Sequence, residues 1–315
     1  MQSLLNRKLV FITGKGGVGK TTMAAAVGMM AARAGLRTVV VEVGEQSRLT
    51  DLYGIPRPEP GVETGLEAGL SSVSIDPDQA LLEWLQALGG RISGRVLASS
   101  GTFQYFAAAA PGAKELVSMV KIWQLTKGDG RRRSTGHDLV VVDAPATGHA
   151  LGMLRSPQTF GAIARVGPIA GQTQHVRDLL EDRERTAYLA VALATDMAVT
   201  EALELEDGLQ SQLSRGLDAV LVNGVLPRRF TPAELERIAV FDGHAGRPSA
   251  DGDVAAAAAR AARTIHDRAQ FQHNQVARLR RRSFEVLSVP FVWGARLDLE
   301  AVQGIADRLE RRMES

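Results

Sequence analysis

A chain of 315 residues with 45% apolar and 23% charged residues has the make-up of a soluble globular protein, long enough for one large α/β domain or two ordinary ones. A net charge of +2 gives no reason to expect nucleic acid as a partner, and the lack of any cysteine removes disulfides, zinc ribbons, iron–sulfur clusters and thiolate metalloid sites together. The opening MQSLLNRK lacks a signal-peptide core and runs straight into an apolar strand, so a cytoplasmic protein is expected.

In chain order, KLVFIT (8–13), RTVVVEV (37–43), DLVVVDA (138–144), YLAVALA (188–194), DAVLVNG (218–224) and EVLSVPFV (285–292) read as strands, with SSVSI (71–75) a weaker candidate. Most are apolar on both faces, the pattern of a parallel sheet covered on both sides. Helical stretches between them complete βα units, so the fold class expected is α/β, a doubly wound and mostly parallel sheet. The segment from Asp76 to about Thr126 has no convincing strand and reads as a helical insertion. It carries Leu81, Leu82, Trp84, Leu85 and Leu88, then an uncharged stretch over 96–113, then Leu116, Met119, Val120, Ile122 and Trp123 at helical spacings. A helical layer packed on the sheet is the first reading, and a partly exposed apolar surface for a client is the alternative. The uncharged stretch has too many Ser, Thr, Gln, Gly and Pro residues for a bilayer span.

Residues 243–253, GHAGRPSADGD, read as a loop, and 254–283 as a long helix rich in arginine. Those arginines fit a solvated face, with a patch for an acidic partner or lipid as the alternative. The final helix near 298–313 has an apolar face of Val302, Ile305, Leu309 and Met313, suited to packing on the domain.

GKGGVGKT (14–21) follows the first strand and opens a helix, and it fits the phosphate-loop pattern G-x-x-x-x-G-K-[ST]. The nucleotide-binding set is Gly14, Lys15, Gly16, Gly17, Val18, Gly19, Lys20, Thr21 and Thr22. The glycines let backbone N–H groups curl around phosphates, Lys20 reaches the β- and γ-phosphate oxygens, and the Thr21 hydroxyl is placed for Mg²⁺. Asp143, ending the strand DLVVVDA, is the second metal candidate, acting on Mg²⁺ through water. Gly148, in the APATG that follows, is placed to sense a γ-phosphate. A phosphate loop needs only one lysine, so Lys15 is surplus to it.

The spacing K-G-G-V-G-K-T resembles the deviant Walker A loop of the MinD, ParA and nitrogenase-reductase class, in which the signature lysine crosses a dimer interface to the partner's nucleotide. On that resemblance Lys15 and Lys20 are the catalytic pair and the working unit is a dimer. The whole chain is similar to the arsenical-pump (ArsA) and tail-anchored-protein-targeting ATPase family. FITGKGGVGKTTMAAA opens the match, VVVDAPATGHALGMLRSP resembles the family's second switch, and AVLVNGVLP its strand ending in an adenine-contacting asparagine, here Asn223. LSVPFVWGARLDLEAVQGIADRL resembles the C-terminal segment, where Pro290 would line the adenine. The resemblance implies ATP as substrate; with Mg²⁺ as cofactor from the loop and Asp143, the expectation is a single ATPase domain over 1–315 with helical insertions near 76–126 and 151–185.

The departures are informative too. The first switch of the family usually reads D-P-A-H-N/S-L-S-D, and here the stretch is VGEQSRLTDLYG. Anchoring on Leu49, Asp51 and Gly54 puts Gly44 where the family keeps a water-orienting aspartate, and neither Glu42 nor Glu45 is an obvious substitute, so hydrolysis by this chain alone is expected to be slow. The family's zinc Cys-x-x-Cys clip is absent, so no zinc is expected. Between Pro157 and Tyr188 there is little room for the long client-binding insertion of the targeting branch. The pattern is closest to short bacterial anion-transporting-ATPase-like members. Three functions follow: a dimeric ATPase switch acting on a client protein or membrane component, a catalytically weak subunit of a heterodimer with a homologous ATPase, or a ParA/MinD-type positioning ATPase. Peripheral attachment to a membrane stays open.

Overall fold

The computed structural model of the protein describes residues 2–44, 47–88, 112–127, 136–163, 168–242, 250–294 and 297–313. Eight strands are present among them: β1 Leu9–Gly14, β2 Thr38–Val43, β3 Thr64–Glu67, β4 Leu70–Ile75, β5 Leu139–Ala146, β6 Thr186–Leu193, β7 Ala219–Val225 and β8 Glu285–Pro290. They form one sheet in the order β3-β4-β2-β5-β1-β6-β7-β8. Every described pairing is parallel except β3 against β4. The valine-rich runs dictate this. Residues 9–12, 39–41 and 139–142 are fully buried, so both faces of the central strands are covered. The expected doubly wound α/β sheet is therefore observed.

The described helices are α1 Gln2–Leu5, α2 Lys20–Arg33, α3 Arg48–Leu52, α4 Pro77–Leu88, α5 Ala113–Lys127, α6 Thr147–Ile163, α7 Pro168–Glu181, α8 Asp196–Leu213, α9 Pro232–Asp242, α10 Ala250–Leu279 and α11 Leu299–Met313. Alanine and methionine let α2 lie close on the sheet, with residues 23–31 buried. The predicted apolar face of the last helix is confirmed at Val302, Ile305 and Leu309, all buried, and α11 packs against α2.

The helices α4, α5, α6 and α7 pack on one another, and α5 also packs on β5. Two contacts join their layers: the Trp84 indole donates to Gln172 Oε1 at 2.7 Å, and the Trp123 ring stacks on His175 at 5.2 Å. At the ends of the 76–126 insertion, α5 packs on β5 and α4 packs on α5. Most of the uncharged stretch over 96–113 lies outside the described residues.

Sequence and structure differ at several element bounds: β5 runs past Asp143 to Ala146, β8 stops at Pro290 and the long helix stops at Leu279, and three further differences have a physical reason. β3 was not expected: TGLE alternates between half-buried and exposed and contains a glycine, so it carries no buried-strand signature, and it is an antiparallel edge strand held by β4. β6 begins at Thr186, two residues before the apolar run, because Thr186 and Ala187 pair with Leu9 and Val10 of β1. The long arginine-rich helix starts at Ala250, inside the segment read as a loop, the remainder of which lies outside the described residues. Its C-terminal end is docked: Arg278 bonds Asp196 Oδ1 at 3.0 Å and Thr200 Oγ1 at 3.3 Å on α8. Among the described residues no helix is long and apolar enough to cross a membrane.

Candidate functional site

Parallel α/β sheets collect loops at the C-terminal ends of their strands, and the candidate site forms there. β1 delivers Gly14, the loop turns, and α2 begins at Lys20. Gly19 caps that helix with φ +96°, a left-handed conformation that favours glycine. A Cβ at this position would come within 2.5 Å of Asn223 Nδ2. The same Nδ2 donates to the Val18 carbonyl at 2.9 Å, so the end of β7 braces the underside of the loop. Val18 itself is buried, whereas Gly16 and Gly17 face outward. The first-turn N–H groups of α2 have no intrahelical acceptor and lie at the positive end of a fourteen-residue helix.

Lys20 Nζ donates to the Lys15 carbonyl at 3.1 Å, folding the side chain back across its own loop. Burial pulls the Lys20 ammonium below the ordinary lysine range; Asp143 opposes this and Arg48 adds to it. Thr21 Oγ1 donates to Asp143 Oδ2 at 2.6 Å. Asp143 lies in register with Ile12 of β1 on one side and Glu42 of β2 on the other, which sets it beside both the loop and the first-switch strand. Burial raises its carboxyl above the usual range, against the Thr21 hydrogen bond and the charges of Lys20 and Arg48. Asp143 Oδ1 is buried with no hydrogen-bond partner. An orphaned buried carboxylate oxygen beside a threonine hydroxyl is a donor set that suits a hard divalent cation, so these two residues could hold Mg²⁺.

Glu42 is 4% exposed. It accepts the backbone N–H of Arg48 at 2.8 Å and that of Leu49 at 3.4 Å, tying the first switch to the end of β2. Burial pushes its carboxyl up to about 7, with the Asp143 charge raising it further and the two backbone hydrogen bonds opposing. Gly44 follows with φ +133°, and a Cβ added there would meet open space, with no atom within 4 Å. An aspartate would fit there sterically but not conformationally, so the missing carboxylate is built into the backbone. Glu45 lies outside the described residues.

Lys20, Thr21, Glu42, Gly44, Arg48 and Asp143 share the wall of one open cleft of about 790 Å³, and Leu297 enters it from the C-terminal segment. That volume is within the usual range for a small-molecule site. Lys15 does not line it. Its Nζ lies 2.7 Å from Glu201 Oε1 on α8. Pro290, at the end of β8, lines a separate cavity of about 640 Å³ beside Arg308 and Arg311 of α11. Gly148 sits in the first turn of α6, after Thr147, whose Oγ1 is buried without a partner.

Sequence reasoning missed Glu201 and Arg48. Nothing in the spacing links Lys15 to a carboxylate 186 positions away. Arg48 did carry a signal, since the family pattern has asparagine or serine at that place.

The profile described as anion-transporting ATPase matches residues 7–166. The chain is similar to ATPase BagA of Mycobacterium tuberculosis, 31% identical over 239 residues that span 74% of this chain and 69% of that one. It is also similar to ATPase GET3 of Paracoccidioides lutzii, 29% identical over 181 residues, 55% of this chain and 50% of the relative.

Proposed function

The chain belongs to the anion-transporting ATPase family, and we propose that it works as a magnesium-dependent ATP switch whose active form is a dimer. It is an ATPase with ATP as substrate. The observation that carries this reading is the separation of two lysines within one loop: Lys20 lines the cleft beside Thr21 and Asp143, while Lys15 points out of it to Glu201. A lysine that does not face its own nucleotide site is available to a second copy's.

In this reading Lys20, the loop N–H groups and the α2 dipole hold the phosphates. Thr21 and Asp143 would hold Mg²⁺, which would supply neutralising charge to the phosphate oxygens. Lys15 from the other subunit adds a cation where charge develops. Asn223, bonded to the loop at Val18, is the adenine contact in this reading, while Pro290 lines a separate cavity and has no part in it. Closure reorders the switches at 42–52 and 143–148 and changes the helical layer of α4–α7, which faces a client protein or membrane component.

Gly44 favours a second reading, a catalytically weak subunit that pairs with a homologous ATPase. One experiment separates the two. Light scattering of the purified chain with and without Mg-ATP, alongside its turnover, should show an ATP-dependent dimer of identical subunits for the first. A chain that binds ATP yet stays monomeric and idle until a homologous ATPase is added supports the second. A mass indifferent to ATP in both settings overturns the dimer.

A further inference from the structure

The cleft contains a cation that neither the loop motif nor the family pattern calls for. Arg48 opens α3, and its side chain is exposed on the cleft wall that also holds Lys20, Thr21 and Asp143. Its neighbours are not exposed: Ser47, Leu49 and Thr50 are all buried, and Thr50 Oγ1 bonds the Ser47 carbonyl at 2.9 Å. Glu42 adds the clamp on the Arg48 and Leu49 N–H groups. The backbone carrying Arg48 is therefore held by Glu42 and by the Ser47–Thr50 turn, and the residue lines the same cleft as Lys20, Thr21 and Asp143.

We propose that Arg48 is a catalytic residue of this ATPase, an arginine supplied in cis that contacts the γ-phosphate, and that Glu42 is the positioning residue that seats it. The proposal rests on the nucleotide reading of the cleft. In hydrolysis the oxygen of water bonds to the γ-phosphorus while the bond from that phosphorus to the β–γ bridging oxygen breaks. The bridging oxygen leaves with its electron pair on ADP, and the protons of the water pass to phosphate and solvent. Negative charge spreads over the γ-phosphate oxygens as this happens, and a planar guanidinium suits them better than an ammonium would. A donor held in place beforehand stabilises that charge without reorganising.

The arrangement fits the departure at Gly44. A chain without the water-orienting aspartate keeps its switch in place by a different carboxylate, Glu42, and brings a cation to the phosphate instead. Arg48 lies close enough to Lys20, Glu42 and Asp143 for its charge to bear on all three, after burial and the nearer partners of each.

The test uses the full chain with Arg48→Ala, Arg48→Lys and Glu42→Ala. Turnover at saturating Mg-ATP and the separate affinities for ATP and ADP are the readouts. Arg48→Ala should lower kcat by roughly 100-fold and weaken ATP by roughly 10-fold, with ADP, which lacks the γ-phosphate, unchanged. Millimolar guanidinium should restore part of that turnover. Arg48→Lys should fall between, and Glu42→Ala should lower kcat without rescue by guanidinium. The ratio of ATP to ADP affinity carries the test even if the chain alone turns over slowly. An unchanged ratio in Arg48→Ala, or equal losses for both nucleotides, overturns the role of Arg48. A wild-type chain that bound neither nucleotide would instead overturn the reading of the cleft, and this proposal with it.

Discussion

Lys15 and Glu201 form an ion pair at 2.7 Å between the phosphate loop and α8, with side chains 36% and 31% exposed. A pair this exposed contributes about 0–1 kcal/mol, so it steers Lys15 without holding the fold together. It gives the lysine a resting partner within its own chain. Any crossing to a second subunit has to exchange that partner for phosphate.

Glu201→Gln should therefore ease ATP-driven dimerisation, lowering the ATP concentration at half-assembly by roughly 3–5-fold. Lys15→Ala should still bind ATP but lose turnover per dimer. Titrating mass against ATP for the two variants checks both statements. Unchanged turnover in Lys15→Ala dimers would remove the trans role.

Thr21 and Asp143 face each other at 2.6 Å, and the second oxygen of Asp143 has no partner. Asp143→Asn should make ATP affinity nearly independent of magnesium and lower turnover on the order of 100-fold, since the negative charge that holds the metal, directly or through water, is lost. Binding titrations with Mg²⁺ and with EDTA give the comparison. A variant that keeps the wild-type magnesium response would place the metal elsewhere.

Glu42 gives a pH signature of defined sign. Unfolded, it takes a proton near 4.5; folded, at about 7. Between those values the folded chain holds a proton that the unfolded chain lacks, so stability falls as pH rises through that window and levels off above 7. The full loss is on the order of 3 kcal/mol. Glu42→Gln removes this slope. Its urea midpoint should exceed that of the wild type at pH 8 and converge with it near pH 5. A difference that does not change with pH would show that the carboxyl is not the cause.

Asn223 braces the loop through Val18. Asn223→Ala should weaken ATP and GTP alike by roughly 5-fold, the equivalent of one hydrogen bond of about 1 kcal/mol. Any further loss confined to ATP measures an adenine contact. Competition binding with the two nucleotides separates these contributions.

Much of this was visible in the chain itself. The valine runs over 39–41 and 140–142 could be read as buried parallel strands because period and composition agree, and the loop because glycine spacing, strand and helix occur in the required order. Asp143 was legible for the same reason, as an acid directly after a buried valine run, although β5 continues beyond it to Ala146. Glu201 was not, because its relation to Lys15 exists only after β6 and β1 pair. Arg48 was hidden by a different cause. Its departure from the family's asparagine or serine was readable, but a single arginine resembles any solvated side chain until the fold sets it in the cleft wall. The edge strand β3 was missed because half its residues face water.

The brace from Asn223 to Val18 also has a bearing on time. A loop held in its curled shape before any phosphate arrives has little to rearrange on encounter, so capture should proceed as a single fast phase proportional to ATP concentration. On the proposed dimer reading, release of Lys15 from Glu201 and resettling of the first switch would be separate and slower, since they involve other parts of the molecule. Stopped-flow traces should therefore resolve a concentration-dependent association followed by a step whose rate ATP does not alter within the bound monomer, and Asn223→Ala should blur the first while sparing the second.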